Sequence, residues 1–539
     1  MRSVLLPLLI CLACTEIDTS SESTKVPSRN SLNARILFNS DGGSGALFAH
    51  EPPITADQLC RVVNALKGTQ VDVFIQSISF GPFVLYGTQV GEIYGQNVTD
   101  FENENYRRWS LNTLGLLRQG LDPLDIWARR THELGMQFWA SLQLNDIHKD
   151  WVDRRPSLRS KWERTRTHLL IGKGVSDRYF RMYQRDYSWA YDFSHQEVRD
   201  LKFALIEEVC LNYDVDGFEL DFLRHPMFFK KGEVEEGLPL MTRFMTRVRQ
   251  RIDEISRQKG GRILLAVRVP PTFRLCESIG LDVRTWIGEG LIDVLAPMTN
   301  QNQLDMNADV RSFVEAARGT SCTIAGGLSD VYVRKHPAKK STRASIEMLR
   351  AAAQGYWQEG ASHIYLFNYD AHASSIRKGR PDATWPGLGD LFNPSELQVL
   401  KEIGDPLEIA SRDKHYFVGR SPRDTPPEEG GEMQLPRLLR GSGEEVRLRF
   451  TVGDDLQSAR EAGTLKSTVL KVHLEGTEHL GDRLRFQLNQ RSLNGQGEAG
   501  TLAFTDPPLQ PGQNELSISS RRKHGPMVIQ GVEVFVDYE

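Results

Sequence analysis

The stretch YDVDGFELDFLRHP (213–226) decides how this chain folds. Its centre, VDGFELDF (215–222), is read as an extended strand, in which successive side chains point to opposite faces. Phe218, Leu220 and Phe222 then share one face, and Gly217, Glu219 and Asp221 share the other. Two carboxylates on one strand face are costly unless they are hydrogen-bonded or paired. A strand with one face against helices and the other toward a polar centre is the wall of a barrel.

Working outward, seven further short apolar runs resemble this one in length. They lie at 35–39, 71–76, 136–142, 262–269, 291–297, 322–328 and 363–368. Helical stretches fit between most of them, at 56–67, 122–134, 195–212, 239–258, 308–318 and 343–358. The second opens on Asp122-Pro123, a cap followed by proline at the first helical position, and closes at Gly135. The third has Ser194 followed three residues on by Glu197, the spacing of a capping box. Eight strand–helix units predict an α/β fold of the (β/α)8 TIM-barrel type. A doubly wound sheet is the weaker alternative, since DGGSG (41–45) after the first run lacks GxGxxG spacing and opens no immediate helix. The stretch 79–121 reads as one long loop rich in Gly, Tyr and Asn.

After a Pro-, Gly- and Glu-rich segment the period changes to two, at 446–450, 470–474, 483–488, 515–519 and 532–537, with no helix expected between them. This predicts a small antiparallel β-sandwich that either binds sugar or braces the barrel. The expected division is a barrel over 31–415, a linker over 416–440 and the sandwich over 441–539. At the other end, VLLPLLICLA (4–13) has the length of a signal-peptide core and runs into Cys14, as in a bacterial lipobox. Residues 1–14 are therefore read as a signal peptide of lipoprotein type and 15–30 as a polar tether. The expected location is secreted, periplasmic or outer-surface, either lipid-anchored through Cys14 or released by cleavage of a plain secretory signal nearby.

The 539 residues carry 66 basic and 70 acidic side chains, a formal charge of −4, which argues against a nucleic-acid partner. Hydrophobic residues at 40% and charged residues at 25% are ordinary for a folded chain. Six cysteines exclude a disulfide scaffold. Cys60, Cys210, Cys276 and Cys322 form no CxxC pair and read as buried thiols. No metal or cofactor is expected.

Reacting groups of a barrel come from the carboxyl ends of its strands and the loops just beyond. The candidates are Asp41 after the first run, Gln76 after the second, and Gln143, Asn145, Asp146 and His148 after the third. The fourth supplies Glu219, Asp221, Arg224 and His225. Arg268, Asn300, Asn368, Asp370 and His372 follow later runs. Asp221, Asp41, His148 and Glu219 are assigned to catalysis, as carboxylates and an imidazole able to exchange protons near neutrality. Arg224, Asn145, Asp146, Asn300, Asn368, Arg268 and Gln76 are assigned to substrate contact. Arg224 is expected to partner the strand-four acids. Tyr86, Tyr94, Trp151 and Tyr369 are candidate stacking platforms for sugar rings.

These residues carry two resemblances. YDVDGFELDFLRHP (213–226), with DFSHQEVRD (192–200) and DPLDIWARRTHELG (122–135), resembles the family-10-like glycoside hydrolases over roughly residues 31–400. The resemblance implies that Asp221 is the strand-four carboxylate and Arg224 its rim partner, with His225 where an aromatic residue is usual. Separately, Asp41, His148, Arg224 and Asn368 are similar in order and spacing to the polar constellation of the family-156 inverting sialidases. Gln143 stands where a substrate-binding arginine would be expected in that family.

The leading expectation is a glycoside hydrolase acting on an extracellular glycan through carboxylate acid/base chemistry. A sialidase-like inverting exo-glycosidase using Asp41 and His148 is the first alternative. A non-catalytic glycan-binding surface protein is the second. A deacetylase or lyase would want a clustered His/Asp metal set, which the spacing does not offer.

Overall fold

The computed structural model describes residues 32–41, 46–98, 100–147, 156–172, 187–299, 304–329, 343–372, 391–419, 434–440, 443–475, 484–497, 500–520 and 527–539. The signal and tether segments, His148, Trp151 and Asn300 lie outside them.

Eight parallel strands close into a barrel: β1 (Ile36–Ser40), β2 (Val71–Ser77), β3 (Gln137–Gln143), β4 (Gly217–Asp221), β5 (Leu264–Val269), β6 (Val294–Pro297), β7 (Thr323–Leu328) and β8 (His363–Phe367). Each pairs with its neighbours in chain order, and β8 returns to β1 through Ile364 beside Ile36. All eight runs read from the sequence are strands of this barrel. The lumen has its own apolar floor, built from Leu37, Val73, Ile75, Trp139, Ala266 and Ala325. The outward faces pack under the helices, with Phe138, Leu142, Phe218 and Leu220 fully buried.

Gly217 of β4 has a steric reason. It sits beside Trp139 across the β3–β4 ladder, and a Cβ there would lie 2.6 Å from the indole ring. The lumen floor therefore takes the tryptophan only because the strand begins with glycine.

The helices include α1 (Glu104–Arg118), α2 (Pro123–Glu133), α3 (Gln196–Asn212), α4 (Val234–Lys259), α5 (Val310–Ala317) and α6 (Ile346–Gln358). α2 is capped as expected, Asp122 accepting from Leu124 N. α3 is not: the capping residue is His195 and no side-chain cap bond forms. Asp192 instead accepts the Ser194 N–H at 2.9 Å, and Lys230 at 2.9 Å holds the same carboxylate. The stretch 79–121 is also more than a loop. It contains a short hairpin, Ser79–Phe80 with Phe83–Val84, and then α1, whose Tyr106, Trp109, Thr113 and Leu116 form a buried face at helical spacing.

Beyond the barrel lie β9 (Lys414–Phe417), β10 (Arg437–Leu439), β11 (Glu445–Val452), β12 (Leu465–Glu475), β13 (Leu484–Leu488), β14 (Arg491–Leu493), β15 (Thr501–Thr505), β16 (Gly512–Ser520) and β17 (Met527–Tyr538). They form two antiparallel sheets, one ordered β9-β17-β12-β15 with β10 also on β17, the other β11-β16-β13-β14. The sheet thus starts at Lys414, within the segment the sequence reading gave to the barrel, and β10 lies in the expected linker. A short helix, Leu456–Glu461, also interrupts the run of strands, capped by Asp455.

This second unit is pressed onto α6. Gly453 lies against the Gln354 backbone so closely that a Cβ would come within 2.4 Å of it. Thr451 donates to Glu359 at 3.0 Å. Next to this contact, Lys414 and Asp454 form an ion pair of 2.7 Å with neither side chain exposed. The same carboxylate accepts the Tyr538 hydroxyl at 2.6 Å and the Tyr416 hydroxyl.

A buried charge left without its partner is expensive. Lys414→Met should therefore lower the unfolding free energy by about 3 kcal/mol in urea denaturation, with part recovered by adding Asp454→Asn. An unchanged urea midpoint for the single variant would contradict this account of the junction.

Candidate active site at the barrel mouth

The site is built in layers along β4. In the lower layer Glu219 accepts Asn39 Nδ2 from β1 at 2.8 Å and Ser141 Oγ from β3 at 2.6 Å, with the Tyr365 phenol of β8 beside it. It is 1% exposed. Burial, reinforced by the charge of Asp221, pushes its carboxyl up to about 7.

One layer higher, Asp221 meets Arg268 in a bidentate pair. Arg268 Nε donates to Oδ1 at 3.0 Å and Nη2 to Oδ2 at 2.8 Å. The two residues are direct neighbours in the β4–β5 register. The guanidinium also lies 3.7 Å from the centre of the Phe367 ring. Asp221 Oδ1 further accepts the backbone N–H groups of Leu223 (2.8 Å) and Arg224 (3.1 Å), fixing the turn that leaves the strand.

That turn carries the Arg224 side chain away from the strand-four acids. Its partner is Asp41, with Nε 3.3 Å from Oδ2. The expected pairing of Arg224 with Asp221 is corrected here, because Arg268, laterally adjacent on the next strand, fills that place. Asp41 also accepts Asn368 Nδ2 at 3.1 Å and the Gln143 side-chain amide. Two amide donors, from the ends of β3 and β8, and the guanidinium of the β4 turn as an ion-pair partner thus converge on one carboxylate just past β1. Asn368 adopts φ = +61°, a left-handed conformation that asparagine tolerates better than most residues, and its N–H donates to Asn39 O at 3.0 Å. Strained backbone of this kind is characteristic of functional loops.

Exposure separates the carboxylates. Asp41 and Arg224 retain 11% and 13% of their side-chain surface, whereas Asp221 and Arg268 retain 1% each. Asp41 is the acid that faces the mouth, and Asp221 is committed to holding Arg268 and the turn. Behind Asp41, Asp370 accepts Ser40 Oγ at 2.8 Å. Burial, with Asp41's charge adding to it, raises Asp370 to about 7. The sequence reading placed Asp370 at the end of the eighth run without giving it a role.

Several expected substrate contacts turn out to tie the loops together. Asn145 spends its side chain on Tyr191 N (2.8 Å), Tyr191 O (3.1 Å) and Met227 O. Asp146 accepts Gly81 N at 2.7 Å and lies 3.3 Å from His225 Nδ1, with neither side chain open to solvent. Gln76 donates to Ser77 O at 3.0 Å and Ser40 O at 3.4 Å. The aromatic platforms are also interior. Tyr86 donates to Glu208 at 3.0 Å, Tyr369 donates to Glu396 O at 2.9 Å, and Tyr94 stands in a cluster with Phe80, Phe83 and Trp109. Among the described residues no group of His, Cys, Asp and Glu is arranged to hold a metal ion.

No protein-family model and no curated protein matches the chain. Solved structures that resemble it include a noncanonic maltogenic α-amylase from Thermotoga neapolitana, at 12% identity over 90% of this chain and 98% of that one, with a TM-score of 0.36. An α-amylase from Geobacillus thermoleovorans complexed with acarbose gives 12% identity, 90% and 98% coverage, and a TM-score of 0.37. An α-galactosidase of family 36 from Geobacillus stearothermophilus gives 11% identity, 90% and 55% coverage, and a TM-score of 0.35. At these values the likeness carries no argument about substrate or residue roles.

Glu219 offers a test of the layer beneath the mouth. A free glutamate titrates near 4.5 and the folded one near 7. Between those values the folded state binds more protons than the unfolded state, so stability contributed by protonated Glu219 falls as pH rises and is lost above about 7. Glu219→Gln removes this titration while keeping the shape. The stability of the variant relative to the parent should climb from pH 5 to pH 7 and level off beyond. A flat difference across thermal melts in that range would refute the assignment.

Proposed function

We propose that the protein is a glycoside hydrolase whose reaction takes place at the carboxyl end of the barrel, around Asp41. The observation that carries the reading is the convergence of the Gln143, Asn368 and Arg224 side chains on this one partly open carboxylate. Glycosyl transfer to water needs a carboxylate to attack the anomeric carbon or activate water, and an acid to protonate the leaving oxygen. Asp41 fills the first role. Two amide hydrogen bonds and the Arg224 ion pair orient it where a sugar ring would lie. Asp370, which holds a proton up to about pH 7, and His148, five positions past the end of β3 in the sequence, are the two candidates for the second role. Asp221 and Arg268 support the site from below, and Glu219 with Asn39 and Ser141 ties the strands beneath them. The substrate is a carbohydrate of an extracellular glycan.

A second reading is favoured by a specific observation. Asp41, Arg224 and Asn368, three of the four positions similar to the inverting sialidases, do come together. Gln143 occupies the Asp41 shell as a neutral donor, so a sialoside carboxylate would have to rely on Arg224 as its guanidinium.

A reducing-sugar assay over a panel of polysaccharides, with a fluorogenic sialoside in parallel, tests both. Asp41→Asn should reduce kcat by at least about 10²-fold with the fold retained, and Asp370→Asn should change the alkaline limb of the pH–rate profile if it is the acid. Hydrolysis undiminished in Asp41→Asn would end the reading, and an intact sialoside at every pH would end the second one.

We also propose a secreted or lipid-anchored location, on the strength of the apolar 4–13 segment ending in Cys14. Radiolabelled palmitate should be incorporated by the parent and not by Cys14→Ser; label retained in the variant would rule out the anchor.

A further inference from the structure

Outside the barrel lumen, on the helix side of β3, a cavity of about 300 Å³ opens between the 79–84 hairpin, the 156–166 segment and α3. This is the lower end of the range for small-molecule sites. Its walls are mostly apolar, with Phe83, Val84, Leu142, Trp162, Tyr191 and Leu205 among them. Trp162 and Tyr191 meet edge to face at 5.7 Å.

Lys202 of α3 lines this cavity and is 3% exposed. Its ammonium has three N–H donors. Among the described residues it makes one hydrogen bond, to Gln143 O at 3.3 Å, and lies 5.0 Å from the centre of the Tyr191 ring. Asp146 acts on it only through space and is itself engaged by Gly81 and His225. A buried ammonium so sparsely bonded is costly, and an anion would offset that cost.

The rest of the lining points the same way. Lys161 and Arg166 add positive charge at the cavity. Glu92, the one acid among the described residues of the lining, already accepts Lys161 N at 2.8 Å and Asn97 Nδ2 at 3.1 Å. Three of the lining hydroxyls already have protein partners. Ser160 caps its helix by accepting Glu163 N, Thr165 donates to Trp162 O, and Ser79 accepts Gln143 N. Apolar walls and an under-bonded cation match an acid with an apolar body better than a polyol.

We propose that this cavity is a binding site, separate from the barrel mouth, for a small carboxylic acid with an aromatic or aliphatic body, its carboxylate paired with Lys202. Burial lowers Lys202 to about 8, consistent with a cation that lacks an anionic partner in the unliganded chain.

Isothermal titration of the full-length protein with benzoate and octanoate, against benzamide and octanamide as neutral counterparts, tests this without any variant. The acids should bind at least ten-fold more tightly than the amides. Lys202→Met should remove that preference, weakening octanoate at least ten-fold and leaving octanamide unchanged, while Asp41→Asn should alter neither. Equal affinity for acid and amide, no binding of either at millimolar concentration, or an undiminished preference in a folded Lys202→Met protein would each overturn the proposal. A competing effect of Asp41→Asn on octanoate would show that the acid binds at the mouth instead.

Discussion

The barrel centre depends on the Asp221–Arg268 pair, two opposite charges with 1% of their side-chain surface left. In a low-dielectric interior neither charge is tolerable alone. Pairing them side by side in the β4–β5 register satisfies both, and Asp221 has enough acceptor capacity left for the N–H groups of Leu223 and Arg224. The rest of the mouth follows. With the turn held from below, the Arg224 side chain is delivered to Asp41, and Asp41 becomes the meeting point of β1, β3, β4 and β8. A carboxylate with some exposure and several donors suits chemistry; one sealed by a guanidinium suits support. The two aspartates therefore differ in access, Asp41 keeping 11% of its side-chain surface and Asp221 1%.

The same economy of buried charge appears at the junction of the two units. Lys414 and Asp454 are sealed from water with two tyrosine hydroxyls on the carboxylate, directly beside the close approach of Gly453 to α6. The ion pair holds the sandwich's own strands together beside the junction, and the contact with the barrel helix is made by Thr451 on Glu359 and by a glycine that admits no side chain. Lys202 is the contrasting case. It is a buried cation whose carboxylate neighbour is already occupied, and it stands in a cavity instead of a packed interior. This contrast between a matched and an unmatched ammonium is the physical basis for treating the two lysines differently.

The strand count, the alternation along VDGFELDF and the cap of α2 were all legible in the sequence, because each depends on side chains within a few residues of one another. α1 was legible too, since Tyr106, Trp109, Thr113 and Leu116 repeat at helical spacing, but the Gly- and Asn-rich approach to it masked the signal. The capping box before α3 had the right spacing and did not form, because a buried aspartate two residues earlier took the backbone donor. Asn145 and Asp146 have residue types suited to sugar contact, and nothing local to them shows that Tyr191, Met227 and Gly81 would use up their bonds.

The sequence alone therefore determined the architecture and the ring of candidates at the carboxyl ends of the strands. Periodicity and strand order are local properties, and the barrel follows from repeating them. Which candidates meet was left to the tertiary structure. Asn368 and Asp41 are 327 residues apart in the chain and Arg268 and Asp221 are 47 apart; pairing of β5 on β4 brings the second pair within hydrogen-bonding distance, and closure of β8 onto β1 brings the first. The β4–β5 register chose Arg268 for Asp221, and closure brought Arg224 and Asn368 to Asp41 and left that carboxylate partly open at the mouth.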